Sequence, residues 1–174
     1  MSANSGELDE QRQALAGRIR AVALDVDGTL TDGAIYWSES GEEIKRFHFL
    51  DIMGIARAQR LCGVSFALIS GEESPLIHRF AAKLSIETVF TGCKAKGDAL
   101  IEAAQRMNLE PGQFAFMGDD VNDLPALRLA GFKAAPMTAH PAVLEEAEFI
   151  SDRPAGSGAV RSLIDFIWGD VING

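Results

Sequence analysis

The chain has 174 residues, of which 47% are hydrophobic and 24% charged, and its formal net charge is −9. That length suits one domain with a substantial core, the hydrophobic share argues against disorder, and the acidic balance speaks against a nucleic-acid groove, because phosphate backbones are bound by clustered Lys and Arg. No apolar run reaches the ~18 residues of a membrane span, and Met1 to Arg20 is too polar for a signal peptide, so no membrane partner is expected.

Along the chain, Ser5 to Arg18 reads as a polar N-terminal helix behind a frayed tail, so that 1–19 precedes a single domain over 20–174. Ala21 to Leu24 is an apolar run that predicts a buried strand, with Asp25-Val26-Asp27-Gly28-Thr29 at its carboxyl end. A strand's period of two puts both acids on one face if the strand continues, whereas the glycine signals that the chain is already turning and that the acids can separate. Ala34 to Trp37 and Glu43 to Phe49 are short extended runs around Ser38-Glu39-Ser40-Gly41, so a protruding hairpin is expected at about 33–49. A helix over Ile52 to Leu61, a strand over Val64 to Ile69 and a helix over Pro75 to Leu84 follow. Next come a strand at Thr88 to Phe90, a helix at Lys96 to Met107, a strand at Phe114 to Met117, a helix at Asp123 to Ala130 and a strand at Phe132 to Ala135. Val143 to Ala147 and Ala159 to Trp168 close the chain as helices. The alternation predicts an α/β fold, a Rossmann-like parallel sheet with flanking helices.

In such a sheet every strand's carboxyl end faces one edge, so residues distant in sequence converge on one crevice. Four ends carry polar residues suited to phosphoryl chemistry: Asp25 and Asp27, Ser70-Gly71, Lys96 shortly after Phe90, and Gly118-Asp119-Asp120 followed by Asp123. The first acid suits attack on phosphorus or a metal bond, the second proton transfer. Crowded carboxylates repel unless a divalent cation neutralises them, and hard oxygen donors with a phosphate to complete the shell favour Mg2+. Ser70 suits a hydrogen bond to a phosphoryl oxygen and Lys96 an offset to its charge; Lys94 competes with Lys96, which is favoured by its place at a helix start. Either Asp120 or Asp123 also suits a helix cap.

DVDGTLTDG, the serine at the next strand end, the downstream lysine and GDDVND resemble, in order, the four motifs of the haloacid dehalogenase superfamily of phosphohydrolases, over Ala21 to Ile167. The resemblance implies that Asp25 forms an aspartyl-phosphate, that Asp27 protonates the leaving alcohol and then activates water, and that Mg2+ binds Asp25, the Asp27 carbonyl and Asp119. It further implies that Asp120 and Asp123 hold metal waters and orient Lys96. The hairpin, FHFLDIMGI and PAGSGAVR look like the small capless subgroup of 3-deoxy-D-manno-octulosonate 8-phosphate and nonulosonate 9-phosphate phosphatases, homotetramers whose neighbouring subunits help to close each site. With no insertion of ~50 residues to serve as a lid, closure by a partner is expected here as well. The two cysteines, Cys62 and Cys93, lie far apart in an unpatterned context and read as reduced residues of a cytoplasmic protein, and the resemblance implies a place in lipopolysaccharide-type or sialic-acid-type sugar synthesis.

The substrate is expected to be a small phosphorylated sugar or sugar acid touching Asp32, Gly71, Glu72 and Arg79. Departures from the subgroup bear on which one. Leu50 stands where octulosonate phosphatases carry an arginine, and Ser70-Gly71-Glu72 resembles the Gly-Glu of the nonulosonate branch. The arginine of the next helix aligns with Phe80, with Arg79 one place early and so turned by about 100° on a helix. His48, between two phenylalanines, reads as a packed or interfacial residue, and Gly156-Ser157-Gly158 as a flexible terminal segment or a short phosphate contact. Two other classes fit parts of the pattern: a receiver-like phospho-accepting switch, against which Asp27 speaks because a switch persists by lacking fast hydrolysis, and a non-catalytic tetramerisation module, which intact motifs disfavour.

Overall fold

A computed structural model of the chain describes residues 5–174, with side chains from Glu10 onward. The expected tail ahead of Ser5 lies outside the described residues. Six parallel strands form one sheet in the order β5-β4-β1-β6-β7-β8: β1 (Ala21–Leu24), β4 (Ser65–Ile69), β5 (Thr88–Phe90), β6 (Phe114–Met117), β7 (Phe132–Ala135) and β8 (Phe149–Ile150). The chain winds outward from β1 to β5, returns beside β1 as β6, and winds outward again. The switch point of the sheet therefore lies at the carboxyl end of β1, where open α/β folds place their ligands.

Both sheet faces are covered, which is why the strands read as unbroken apolar runs. Val22 and Leu24 face a core shared with α1 (Ser5–Arg18), α2 (Phe49–Cys62), α3 (Pro75–Lys83) and α7 (Ala159–Ile172). Ala21 and Ala23 face the opposite core, beneath α4 (Lys96–Arg106), α5 (Leu124–Leu129) and α6 (Pro141–Glu146). The polar α1 is tied down by buried Leu15 and by Arg12, whose Nε and Nη2 donate to the Phe166 and Asp165 carbonyls at 2.7 and 3.1 Å.

The expected strands recur within a residue, and most helices within two. The hairpin is shorter than its sequence suggests: β2 (Tyr36–Trp37) and β3 (Glu43–Ile44) pair antiparallel, and Phe49, the end of the expected returning run, already belongs to α2. His48 is the N-cap of that helix, its Nδ1 accepting the Leu50 N–H at 3.2 Å, which gives it a local structural task. The helix expected to end at Trp168 runs on to Ile172, with non-helical backbone at Trp168 marking the boundary that the pattern suggested. Strand β8 has only two residues and no alternation to betray it. The 156–158 segment is pinned: Gly156 N donates to the Thr29 carbonyl at 3.2 Å, and Gly158 N to Asp51 Oδ2, also at 3.2 Å.

Candidate active site

The sheet carries β1 one step beyond its last strand residue, since Asp25 N still donates to the Met117 carbonyl of β6. The chain then folds into a turn over 26–30, closed by Thr31 N donating to the Val26 carbonyl, with Gly28 at φ 97°. That turn separates the two acids. Asp25 is buried, with Oδ1 2.6 Å from Lys96 Nζ. Asp27 faces the rim, where Oδ2 accepts Ser70 Oγ at 3.2 Å and Oδ1 lies 2.5 Å from Lys45 Nζ. Glycine is required at 28 twice over, for its positive φ and because a Cβ there would come within 2.6 Å of Asp119 Cγ.

The acids after β6 divide in the same way. Asp123 is fully engaged, its Oδ2 accepting the Asp119 and Asp120 N–H groups at 3.0 and 3.1 Å and its Oδ1 lying 2.6 Å from Lys96 Nζ. A Cβ at residue 118 would stand 2.5 Å from Asp123 Cγ, so the glycine before the acids admits that side chain. Asp120 caps the following turn, accepting Val121 N at 2.7 Å while still lining the cavity. Between the two lysines the structure chooses Lys96, buried between Asp25 and Asp123; Lys94 is exposed and donates to the Gly71 carbonyl at 3.0 Å.

Burial pushes the Asp25 carboxyl well above its ordinary range, Asp123 adds to the rise, and Lys96 opposes it. Asp119 is pushed up to about 6, first by burial and then by Asp123. Burial works to lower the Lys96 pKa, but the charges of Asp25 and Asp123 outweigh it and the net shift is upward. Lys96 alone among Asp25, Asp119 and Asp123 leaves surplus negative charge. Asp25 Oδ2 is buried with no hydrogen-bond partner. Oxygens of Asp25, Asp119 and Asp123 lie within 4.8 Å of one another, but both oxygens of Asp123 are committed to Lys96 and to backbone N–H groups. Asp25 Oδ2 and the Asp119 carboxylate are therefore the side-chain donors suited to a cation, and an all-oxygen set fits Mg2+.

A cavity of about 140 Å³ opens here, lined by Asp25, Asp27, Gly71, Glu72, Lys96, Asp119, Asp120 and Asn122. Of the residues expected at the site, these eight include all except Ser70, Asp123, Asp32 and Arg79. Ser70 and Asp123 lie directly behind the lining through their contacts to Asp27 and Lys96. Asp32 faces the hairpin instead, accepting Tyr36 Oη at 2.8 Å and Arg46 Nε at 3.3 Å. Arg79 lines a separate, wider hollow of about 510 Å³ beside Glu42, Glu43 and Glu73. Phe80, the residue aligned with the subgroup's arginine, is buried in the core and stacked on Phe47 with ring centroids 4.3 Å apart. Sequence reasoning missed Asn122, inside the GDDVND motif, and Lys45. The lysine's only signal was a cation in a hairpin otherwise rich in exposed acids, which reads as a solvated charge.

Comparison with known proteins gives a consistent picture. A family profile for haloacid dehalogenase-like hydrolases matches residues 53–131. A 3-deoxy-D-manno-octulosonate 8-phosphate phosphatase from Escherichia coli is 33% identical over 162 residues, spanning 93% of this chain and 86% of that protein. The crystal structure of the Yersinia pestis phosphatase of the same name superposes with a TM-score of 0.89 at 32% identity, covering 95% of this chain and 90% of that one. The Moraxella catarrhalis phosphatase, solved in complex with magnesium ion, phosphate ion and a KDO molecule, gives a TM-score of 0.87 at 31% identity, covering 92% and 91%.

Proposed function

This chain belongs to the haloacid dehalogenase-like hydrolases, within the family of the 3-deoxy-D-manno-octulosonate 8-phosphate phosphatases, and we propose that this Mg2+-dependent phosphatase acts on the phosphate ester of an eight-carbon sugar acid. The observation that carries the mechanism is Asp25 in the cavity lining, with one carboxylate oxygen held by Lys96 and the other buried without a hydrogen-bond partner. The Asp25 carboxylate attacks phosphorus as the ester P–O bond breaks, and Asp27 delivers a proton to the departing alkoxide. Asp27 then takes a proton from the water that attacks the aspartyl-phosphate, releasing inorganic phosphate and restoring Asp25. Asp25 and Asp119, with the Asp27 main-chain carbonyl that the family resemblance implies, would hold Mg2+, which when bound would neutralise the charge that gathers on the phosphoryl oxygens. Lys96 keeps Asp25 oriented between its two carboxylate contacts, Asp123 fixes Lys96, and the single hydroxyl proton of Ser70, given to Asp27 here, turns to a phosphoryl oxygen when the ester is bound.

A volume of about 140 Å³ accommodates a phosphoryl group, leaving the sugar acid at the rim near Gly71 and Glu72. The hairpin and the start of α2 expose Ile35, Trp37, Ile44, Phe49 and Met53, with Trp37 71% accessible. We assign that apolar face to assembly of a homotetramer in which a neighbour covers the sugar. Sedimentation of purified protein at micromolar concentration tests this assembly, with a clean monomer as the contrary result. The cytoplasm is the proposed location, in keeping with two free cysteines and with no described helix long and apolar enough to cross a membrane.

The substrate is tested by comparing kcat/KM across octulosonate 8-phosphate, nonulosonate 9-phosphate and hexose and heptose phosphates. The octulosonate ester is expected to lead. The place of Glu72 in the cavity lining favours a second reading, the nonulosonate ester, and a tenfold preference for that ester would replace the first. Failure to hydrolyse any of these esters with Mg2+ would favour a non-catalytic assembly role.

A further inference from the structure

We propose that Lys45, from the hairpin, is the positioning residue that fixes Asp27 for proton transfer. The proposal rests on Asp27 being the acid and base of the reaction. Two observations point to it. The first is that each Asp27 oxygen has one side-chain partner, Ser70 Oγ on Oδ2 at 3.2 Å and Lys45 Nζ on Oδ1 at 2.5 Å. Asp27 itself sits on a turn with its side chain 28% exposed, so the serine alone leaves it free to swing. The second is the burial of the lysine. Its side chain is only 8% exposed, although it follows two exposed residues, Glu43 and Ile44. Withdrawing an ammonium from water costs several kcal/mol unless carboxylates receive it. Here two do, Asp27 and, at 3.1 Å, Glu43 Oε1.

Glu43 and Lys45 thus form a strut from the hairpin to the acid. An acid placed about 1 Å from its productive position forfeits on the order of a hundredfold in rate. The strut also gives the hairpin a second task. The outward apolar face of the hairpin suits another copy, while its inward lysine sets the geometry of the proton donor.

Lys45→Met separates this role from its competitors when assayed on two substrates, a hexose phosphate, whose alkoxide must be protonated to leave, and p-nitrophenyl phosphate, whose leaving group needs little help. The expected result is a loss of about tenfold to a hundredfold in kcat/KM on the hexose phosphate, carried by kcat, and less than about threefold on the aryl ester. Lys45→Gln keeps an N–H donor for Oδ1 and should recover part of the loss on the hexose ester, while circular dichroism shows both variants folded. An equal loss on both substrates, or a rise in KM with kcat retained, would make Lys45 a structural or substrate-binding group and overturn the proposal. Asp27→Asn is the control. Because loss of the base also stalls the second step on either ester, the control is read in the burst of the first turnover: if Asp27→Asn shows the split there and Lys45→Met does not, the inference about Lys45 fails alone; if Asp27→Asn slows the burst equally on both esters, the reading of Asp27 fails.

Discussion

Gly28→Ala adds one methyl group at a defined place, and its consequences can be worked out from the geometry. A Cβ at residue 28 would come within 2.6 Å of Asp119 Cγ and closer still to its carboxylate, where nonbonded carbon atoms keep about 3.5–4.0 Å. The Asp119 side chain must therefore retreat by roughly 1 Å, more than Mg2+ tolerates in oxygen ligands that it holds at about 2.0–2.1 Å. The backbone at φ 97° adds about 1–2 kcal/mol for a residue with a side chain, and inserting a methylene-sized group into a packed site about 1–3 kcal/mol. The sum, roughly 2–5 kcal/mol, lowers the melting temperature by about 2–4 °C for each kcal/mol in a chain of this size. The assay is thermal melting across a Mg2+ titration. Wild-type protein at a hundredfold excess of Mg2+ over its Kd gains about 2.7 kcal/mol, whereas Gly28→Ala should melt lower and respond little to the metal. A variant that melts lower yet keeps the wild-type Mg2+ response would refute the placement of Asp119 as a ligand.

Two further outcomes follow from the charges. Because folding raises the Asp119 pKa from 3.8 to about 6, this group favours the folded state below pH 3.8, and that contribution is lost as pH rises through about 6. Metal-free protein should thus lose the contribution across this window, Mg2+ should abolish the loss, and Mg2+ affinity, followed by calorimetry, should weaken by at least about tenfold per unit below pH 6. Lys96→Met leaves Asp25 and Asp123 buried without their shared cation, which should cost about 3–5 kcal/mol in urea unfolding at neutral pH and eliminate turnover.

The parts of this molecule legible in its sequence are those where local pattern and tertiary environment agree. Ala21 to Leu24 reads as a buried strand and is one, because both of its faces are covered. Asp25, Lys96 and Asp119 are legible because a parallel sheet brings strand ends to one edge whatever lies between them. Contacts made by side chains that leave their own element are harder to read. Lys45 reaches Asp27 across 18 residues with no fixed spacing, and buried Asp51 accepts the N–H groups of Gly158, just ahead of α7, and of Arg161 within it, at 3.2 and 2.8 Å, although it reads as an ordinary acid in the first turn of a helix. Arg79 shows the reverse case. The residue type suited a sugar acid, but helical phase turned it toward Glu42 and Glu73 and gave the inward position to Phe80. Phe49 leaves the expected extended run because His48 caps a helix there, a contact of one side-chain nitrogen that no run of residues announces.

Asp25 becomes phosphorylated in this mechanism, and trapping that species tests it directly. Asp27→Asn removes the base needed for the second step while leaving the nucleophile and Lys96 in place, so an activated aryl phosphate should load the enzyme and stall. Mass spectrometry of the protein quenched in acid after exposure to p-nitrophenyl phosphate and Mg2+ is expected to find one phosphoryl group, borohydride-sensitive, on the peptide containing Asp25. A phosphoryl group on Ser70 instead, or none at all while p-nitrophenol is still released, would contradict the account.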